Sequence, residues 1–435
     1  MDGRQLRVRR NLGTFLRYAR MTQLDDWLWI DALCIDQTNV SERNHQVQQM
    51  GTIYSNAVEV ISWLGDNREL ATYLKECQRF IRHSTRAVTD LPGEQALVES
   101  DYWRRAWIPQ EVTLAKNVIL MARGEHLPLL QLPWSPWRSA AWVYGRKRYT
   151  HILKYHPDMK EFKRSKNPIR LLFDHMDAKC AFPRDRLFSL LSLCYRGSDL
   201  EVDYTISDEA LAVRVFQSVF LVPFCLCSIW IVGRTLRLEH TDSTFCGDGD
   251  VPLLRFELPV SRYHGQGHDH LDSACGFAVV HVGKWASSGQ LAARDGDEKA
   301  ERWETDTTVA FLTINFEKLC RNCPGIRLFI EARPGHPQFF YRWFTRYRSS
   351  TGSGYFDAIR SRTSGLQLEL SDDQKECTVT FSLRFLLGLA RLKGPPRDGL
   401  CRPRLLTYTI IGDNESWLKL GTGGTRFAFK IQEHF

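Results

Sequence analysis

Three apolar runs constrain what the N-terminal third of this chain can fold into. Trp27–Ile35 (WLWIDALCI), Ala57–Gly65 (AVEVISWLG) and Lys116–Gly124 (KNVILMARG) are nearly unbroken stretches of large apolar and β-branched residues, closed by aspartates or glycine. Such a run suits a strand covered on both faces, as in a parallel sheet. The segments between them read as helices. Asn11–Arg20 places Leu12, Phe15, Leu16 and Ala19 at helical spacing, and Asn39 and Glu42 stand three apart like a capping box. Val47, Met50, Ile53, Tyr54 and Ala57 then follow at helical intervals, and Tyr102–Ala115 (YWRRAWIPQEVTLA) is a further helical stretch. Strand and helix in alternation predict an α/β layer fold with a mainly parallel sheet and flanking helices.

The rest of the chain is of another kind. Residues 136–235 lean helical: Pro168 precedes Ile169, Leu172, Phe173 and Met176, and Pro183 precedes Leu187, Leu190, Leu191 and Cys194. Val219–Gly233 is apolar but short and broken by Pro223, so it predicts a buried helix or strand pair and no membrane span. Residues 236–435 turn to strand candidates, Val309–Phe316, Cys377–Phe385 and Leu405–Gly412, separated by the loop-rich stretches Gly265–Ser273, Ser287–Thr305 and Ser349–Asp373. Three regions are therefore expected: 1–135, a helical extension 136–235 packed on it, and a mixed, partly disordered region 236–435.

Composition excludes several function classes. The formal charge of +8 is spread over 435 residues, so no specific nucleic-acid partner is expected. Twelve cysteines are far too few for a secreted disulfide scaffold and predict a reducing, cytoplasmic location. The start carries six arginines and one acid without an apolar core, which excludes a secretory signal; a mitochondrial presequence is the less favoured alternative to an ordinary first helix. Neither GxGxxG nor GxxxxGK[ST] is present, and a GxSxG elbow is missing. His264, His268 and His270 with Cys320 and Cys323 lack a second ligand pair, so no metal is expected. Cys34, inside an apolar run, reads as a buried, inert thiol.

WIDALCIDQ at Trp29–Gln37, Glu42 and Arg43, QVQQMGTIYSNAVEVISWLG at Gln46–Gly65 and YWRRAWIPQEVTLA at Tyr102–Ala115 together resemble the fungal heterokaryon incompatibility (HET) domain. FPRDRLFSLLSL (Phe182–Leu193) and VDYTISDEAL (Val202–Leu211) are similar to the helical segment that commonly follows it. The family usually opens with a tyrosine-rich ALSYVWG-like strand, and on that comparison this chain looks N-terminally shortened. HET domains in turn resemble Toll/interleukin-1 receptor (TIR) domains, flavodoxin-like modules that assemble into death-signalling complexes or cleave NAD. The resemblance therefore implies a TIR-like sheet. It also puts Glu111, four residues after Trp107, where the TIR catalytic glutamate stands.

A carboxylate near the ribose of NAD stabilises the positive charge that develops as the nicotinamide bond breaks. On this comparison Glu111 is the catalytic candidate, and Asp31, Asp36, Gln37, Arg105 and Trp107 are the candidates for holding the substrate. Each also has a plain structural use. Glu111 suits a helix start, Asp36 can cap a turn, Asp31 can pair with Arg43 or Arg105, and Trp103, Arg104, Arg105 and Trp107 can be core aromatics with rim arginines. The resemblance implies fungal non-self recognition and programmed cell death, with protein partners or self-association and no resident cofactor. Two mechanisms stay open, an assembly module and an NAD glycohydrolase using Glu111, with NAD as substrate. A shortened, nonfunctional remnant is the third reading.

Overall fold

The computed structural model describes residues 7–21, 27–83, 93–132, 168–194, 197–217 and 226–238. In the C-terminal half it describes 253–262, 278–284, 308–315, 326–332, 339–349, 352–356, 362–363, 366–370, 376–396, 416–422 and 425–431. They divide into two compact units, Met1–Ile206 and Ser207–Phe435.

The first unit runs α1 (Arg10–Met21), α2 (Asp31–Cys34), α3 (Val40–Asn56), β1 (Val60–Gly65), α4 (Arg68–His83), α5 (Glu94–Val98), a 3₁₀ turn (Asp101–Arg104), α6 (Ile108–Leu114), β2 (Val118–Ala122) and β3 (Glu125–Pro128). β1 pairs in parallel with β2, Val60 opposite Val118, as the alternation predicts. β3 pairs antiparallel with β2, Leu120 opposite Leu127. The sheet is thus mixed, not mainly parallel. Its cause is the two-residue turn Arg123–Gly124, in which Arg123 adopts φ 54° and returns the chain at once. Arg123 Nε lies 3.3 Å from Asp66 beside it.

The strand expected at Trp27–Ile35 does not form. Trp27–Ile30 is non-helical and unpaired, and Asp31 starts a single helical turn in which Cys34 N–H donates to Ile30 O (2.8 Å). Asp31 Oδ1 accepts from Ala32 N–H (2.7 Å), a local bond that competes with a strand ladder. Cys34 is consequently exposed rather than buried.

Both faces of the sheet are covered. Alternation along the strands sends Leu64, Leu120 and Ala122 into a core with Tyr73, Leu74, Leu97, Trp103 and Ile108 from α4, α5, the 3₁₀ turn and α6. The opposite face holds Ile61, Trp63 and Met121 against Phe15 and Ala19 of α1. Each large side chain removed from water in this way contributes roughly 1.5–3 kcal/mol. Gly93 adopts φ 89° just before α5, and a Cβ there would meet Glu69 O at 2.6 Å.

Residues 168–206 belong to the same unit, with helices at Pro168–His175 and Asp185–Phe188 and a 3₁₀ turn at Leu191–Leu193. They dock on α3. Val202 N–H donates to Gln48 Oε1 (2.8 Å) and Tyr204 N–H to Asn44 Oδ1 (3.0 Å). The Arg43 guanidinium lies 4.1 Å from the Tyr204 ring centroid and 5.4 Å from that of Phe182. Tyr204 OH donates to Asp185 Oδ1 (2.6 Å), and Arg184 Nη1 donates to Ile206 O (2.9 Å). The conspicuous FPRDRLF and VDYT blocks are therefore two halves of one clasp. An isolated parallel bridge from Arg105 to Lys179 ties the same segment to the stretch between the 3₁₀ turn and α6.

In the second unit, Leu226–Leu236 is a helix, and a Cβ at Gly233 would overlap Leu387 of the helix Leu383–Lys393, so the two cross closely. A nine-stranded sheet contains β4 (Leu253–Arg262), β5 (Ala278–Lys284), β6 (Thr308–Asn315), β7 (Ile326–Ala332), β8 (Phe339–Ser349), β9 (Gly352–Phe356), β10 (Arg362–Thr363), β11 (Leu366–Leu370) and β12 (Glu376–Ser382). Its pairs are antiparallel except β4 with β5. Ser349–Asp373, expected as loop, contributes three of these strands, and Leu383–Phe385, expected as strand, is helical. Leu405–Gly412, Gly265–Ser273, Ser287–Thr305 and the His264/Cys320 groups lie outside the described residues.

Candidate functional site

Glu111 occupies the fourth position of α6, a seven-residue helix started by Trp107 with Pro109 in its first turn. A carboxylate used only to complement a helix dipole would point to solvent. This side chain is 12% exposed. Tyr102 OH lies 3.2 Å from Glu111 Oε2 and 2.6 Å from Ser62 Oγ, and Ser62 is fully buried on β1. With Glu111 ionised, Tyr102 donates to it and accepts from Ser62, so a hydrogen-bonded chain runs from the sheet to the carboxylate.

Arg105 Nη2 stands 4.0 Å from Glu111 Oε1 with its own side chain half-exposed. Burial pushes the Glu111 pKa above the ordinary carboxylate range; Arg105 opposes that shift, Asp31 adds to it, and the Tyr102 hydrogen bond opposes it. Burial works against the charge of Arg105, but Glu111, Tyr102, Asp31 and Tyr54 outweigh it and raise its pKa. Tyr54, from α3, is held well above its usual range by burial and by the charges of Glu111 and Asp31. Trp29 meets the Tyr54 ring edge-on, with centroids 6.2 Å apart. One electrostatically coupled cluster therefore contains Asp31, Tyr54, Tyr102, Arg105 and Glu111, with two carboxylates against one guanidinium.

Of the residues expected to hold a substrate, Asp31 and Arg105 join Glu111 in that cluster. Asp36 does not: its Oδ1 accepts from Thr38 N–H (2.9 Å) and Oγ1 (2.6 Å), capping a turn. Those bonds lower its pKa. Gln37 donates to Asp31 O (3.3 Å) from an exposed position. Trp107 is half-buried at the start of α6. Asp31 forms no ion pair with Arg105 or Arg43 among the described residues; its charge acts on Arg105 from farther away, while Arg43 covers Tyr204. Trp103 is core, its Nε1 donating to Leu97 O (2.8 Å), and Arg104 sits at the rim 4.0 Å from Asp101. Tyr54, Tyr102 and Ser62 were not anticipated as site residues. Tyr54 read as one apolar position of a helix and Tyr102 as one letter of YWRRAW; neither position announces that Tyr102 bonds Glu111 or that Tyr54 feels its charge.

The neighbouring residue, Gln110, faces elsewhere. It is 2% exposed and lines a cavity of about 270 Å³ with Val47, Gly51, Phe188, Leu191 and Val202. Its amide, oriented to suit its neighbours, donates to Ser189 O (3.1 Å) and accepts from Gly51 N–H (2.6 Å) and Ser192 Oγ (3.1 Å). The cavity is lined only by uncharged residues, and Glu111 does not border it. Among the described residues no group of three or more His, Cys, Asp or Glu is arranged to hold a metal ion.

Residues 1–111 match the family model described as Heterokaryon incompatibility protein (HET). Over those residues this chain is similar to the HET domain. A relative, heterokaryon incompatibility protein 6, OR allele, of Neurospora crassa, is 43% identical over 143 residues, covering 29% of this chain and 20% of that protein. The chain thus spans about a fifth of the length of that relative. No solved structure matches. The family match ends at Glu111, whereas the compact unit that holds the matched residues continues to Ile206.

Proposed function

We propose that this chain acts in fungal heterokaryon incompatibility, the process in the name of its Neurospora relative, and that its HET domain is a TIR-like NAD glycohydrolase centred on Glu111. The observation that carries the enzymatic reading is the burial of Glu111 against Tyr102 and Arg105, within reach of the charge of Asp31. In the reaction, the bond between nicotinamide nitrogen and ribose C1′ breaks and its electron pair leaves with nicotinamide. The ribosyl cation is stabilised by the Glu111 carboxylate, and water adds to C1′ as its proton passes to that carboxylate. A raised pKa suits proton acceptance near neutrality. Arg105, half-exposed, orients the substrate through its phosphates.

The second reading is an assembly module in a death-signalling complex, acting by self-association or docking on protein partners. It draws on exposed apolar side chains of the first unit, Val58 at 81% and Leu130 at 66%. NAD consumption by the full chain, with and without Glu111→Gln, separates the two. Turnover that falls at least 100-fold in the variant supports the enzyme. A folded wild-type chain without turnover overturns it in favour of assembly, which sedimentation over a concentration series then checks.

A further inference from the structure

From Gly3 to Leu24 the sequence contains six arginines and no Asp or Glu. The HET-domain cluster uses none of them. In the structure α1 turns Phe15 and Ala19 toward the sheet, so positions 10, 13, 17, 20 and 21 share the opposite face by helical spacing. Arg10, Arg17 and Arg20 are exposed there, Gly13 leaves the middle of the face low, and Met21 at its end is 75% exposed. Arg7 and Arg9 precede the helix and are also exposed. Among the described residues none of these five arginines forms an ion pair. The nearby acid Asp66 is already engaged by Tyr18 OH (3.1 Å) and Arg123 (3.3 Å).

Trp27 is the sixth residue after the helix and is fully exposed, although its neighbour Leu28 packs against the α1 cluster. An exposed methionine at the end of the unneutralised arginine face, with an exposed indole six residues along the chain, combines the two elements of interfacial binding, apolar side chains at headgroup depth and cations for anionic lipid.

We infer that the outer face of α1, with Arg7, Arg9, Arg10, Arg17, Arg20, Met21 and Trp27, docks on an anionic lipid bilayer. The face is complementary in charge to a phosphatidylserine-rich leaflet, and each arginine near such a surface strengthens binding roughly five-fold. The site is independent of Glu111, and binding places the HET domain at a membrane without inserting a helix.

The test is sedimentation of the full chain with vesicles of 70:30 phosphatidylcholine to phosphatidylserine, against vesicles of phosphatidylcholine alone. Binding to the first and little to the second is expected, weakening as salt rises from about 0.1 to about 0.5 M as the Debye length shortens. The triple variant Arg10→Glu, Arg17→Glu, Arg20→Glu should bind more weakly by at least about 100-fold. The matching triple change to Lys should bind as wild type, which separates lost charge from lost fold. Trp27→Ala should weaken vesicle binding several-fold without changing its salt dependence. Equal binding to both vesicles, or an unaffected glutamate variant, overturns the proposal. Tighter binding to a single-stranded RNA oligonucleotide than to the anionic vesicles overturns it in favour of a nucleic-acid surface.

Discussion

Ala106 N–H donates to Lys179 O at 2.9 Å, across more than seventy residues of sequence, and Lys179 Nζ lies 2.9 Å from Asp101 on the same stretch. The backbone that presents Arg105 to Glu111 is therefore fixed by residues well beyond the family match. A fragment ending at residue 135 should lose these bonds and the clasp on α3. At about 1 kcal/mol for each of four or more hydrogen bonds, it should be destabilised by roughly 4 kcal/mol relative to a fragment ending at 206. Thermal unfolding of the two fragments checks this; equal midpoints would show that residues 168–206 do not support the family-matched residues.

Glu111 makes stability depend on pH in a definite direction. Its pKa is raised by folding, so the folded protein holds the proton more tightly than the unfolded chain. Stability tied to this group is fully present below its unfolded pKa and is lost as pH rises through the folded value. Glu111→Gln removes the ionisation. From about pH 4 to about pH 8, the Tm of the wild type should fall relative to that of the variant. Parallel melting curves across that range would contradict the buried carboxylate.

Gly51 marks the crossing of α3 with the turn that carries Ser192, and a Cβ at Gly51 would overlap the Ser192 Cβ. Gly51→Ala should therefore destabilise by about 1–3 kcal/mol despite the better helix propensity of alanine. Chemical denaturation of the full chain reads the change. An unchanged or higher midpoint would mean that the two segments part without cost.

Thiol labelling should discriminate among the cysteines of the first unit. Cys34 is exposed, whereas Cys77 and Cys194 are each pushed up to about 12 by burial. Alkylation of the native protein near pH 8, followed by peptide mapping, should modify Cys34 at least ten-fold faster than either. Comparable rates at Cys34 and Cys77 would place residue 34 inside the core.

Much of the first unit was legible because its signals were local. The spacing of Leu12, Phe15 and Ala19 specified α1, Asn39 caps α3 by accepting from Glu42 N–H, and the β-branched content of Val60–Trp63 and Val118–Leu120 marked two strands. Glu42 itself reaches the Asp36 N–H (2.9 Å) instead of closing the box on Asn39. The run Trp27–Ile35 misled because hydrophobicity does not register the local bond that Asp31 makes, and β3 was hidden because a four-residue edge strand carries almost no periodicity. The site was half legible. Glu111, Arg105 and Asp31 lie in recognisable motifs, but Tyr54 joins them through the packing of α3 near α6 and Ser62 through Tyr102 of the 3₁₀ turn, which no spacing encodes.

The tie between Ala106 and Lys179 has a topological consequence. Leu132 and Pro168, the last and first described residues on the two sides of residues 133–167, belong to one compact unit. A chain cut between them therefore yields two pieces of a single body, and the nicked protein should stay together in gel filtration with Arg105 still beside Glu111.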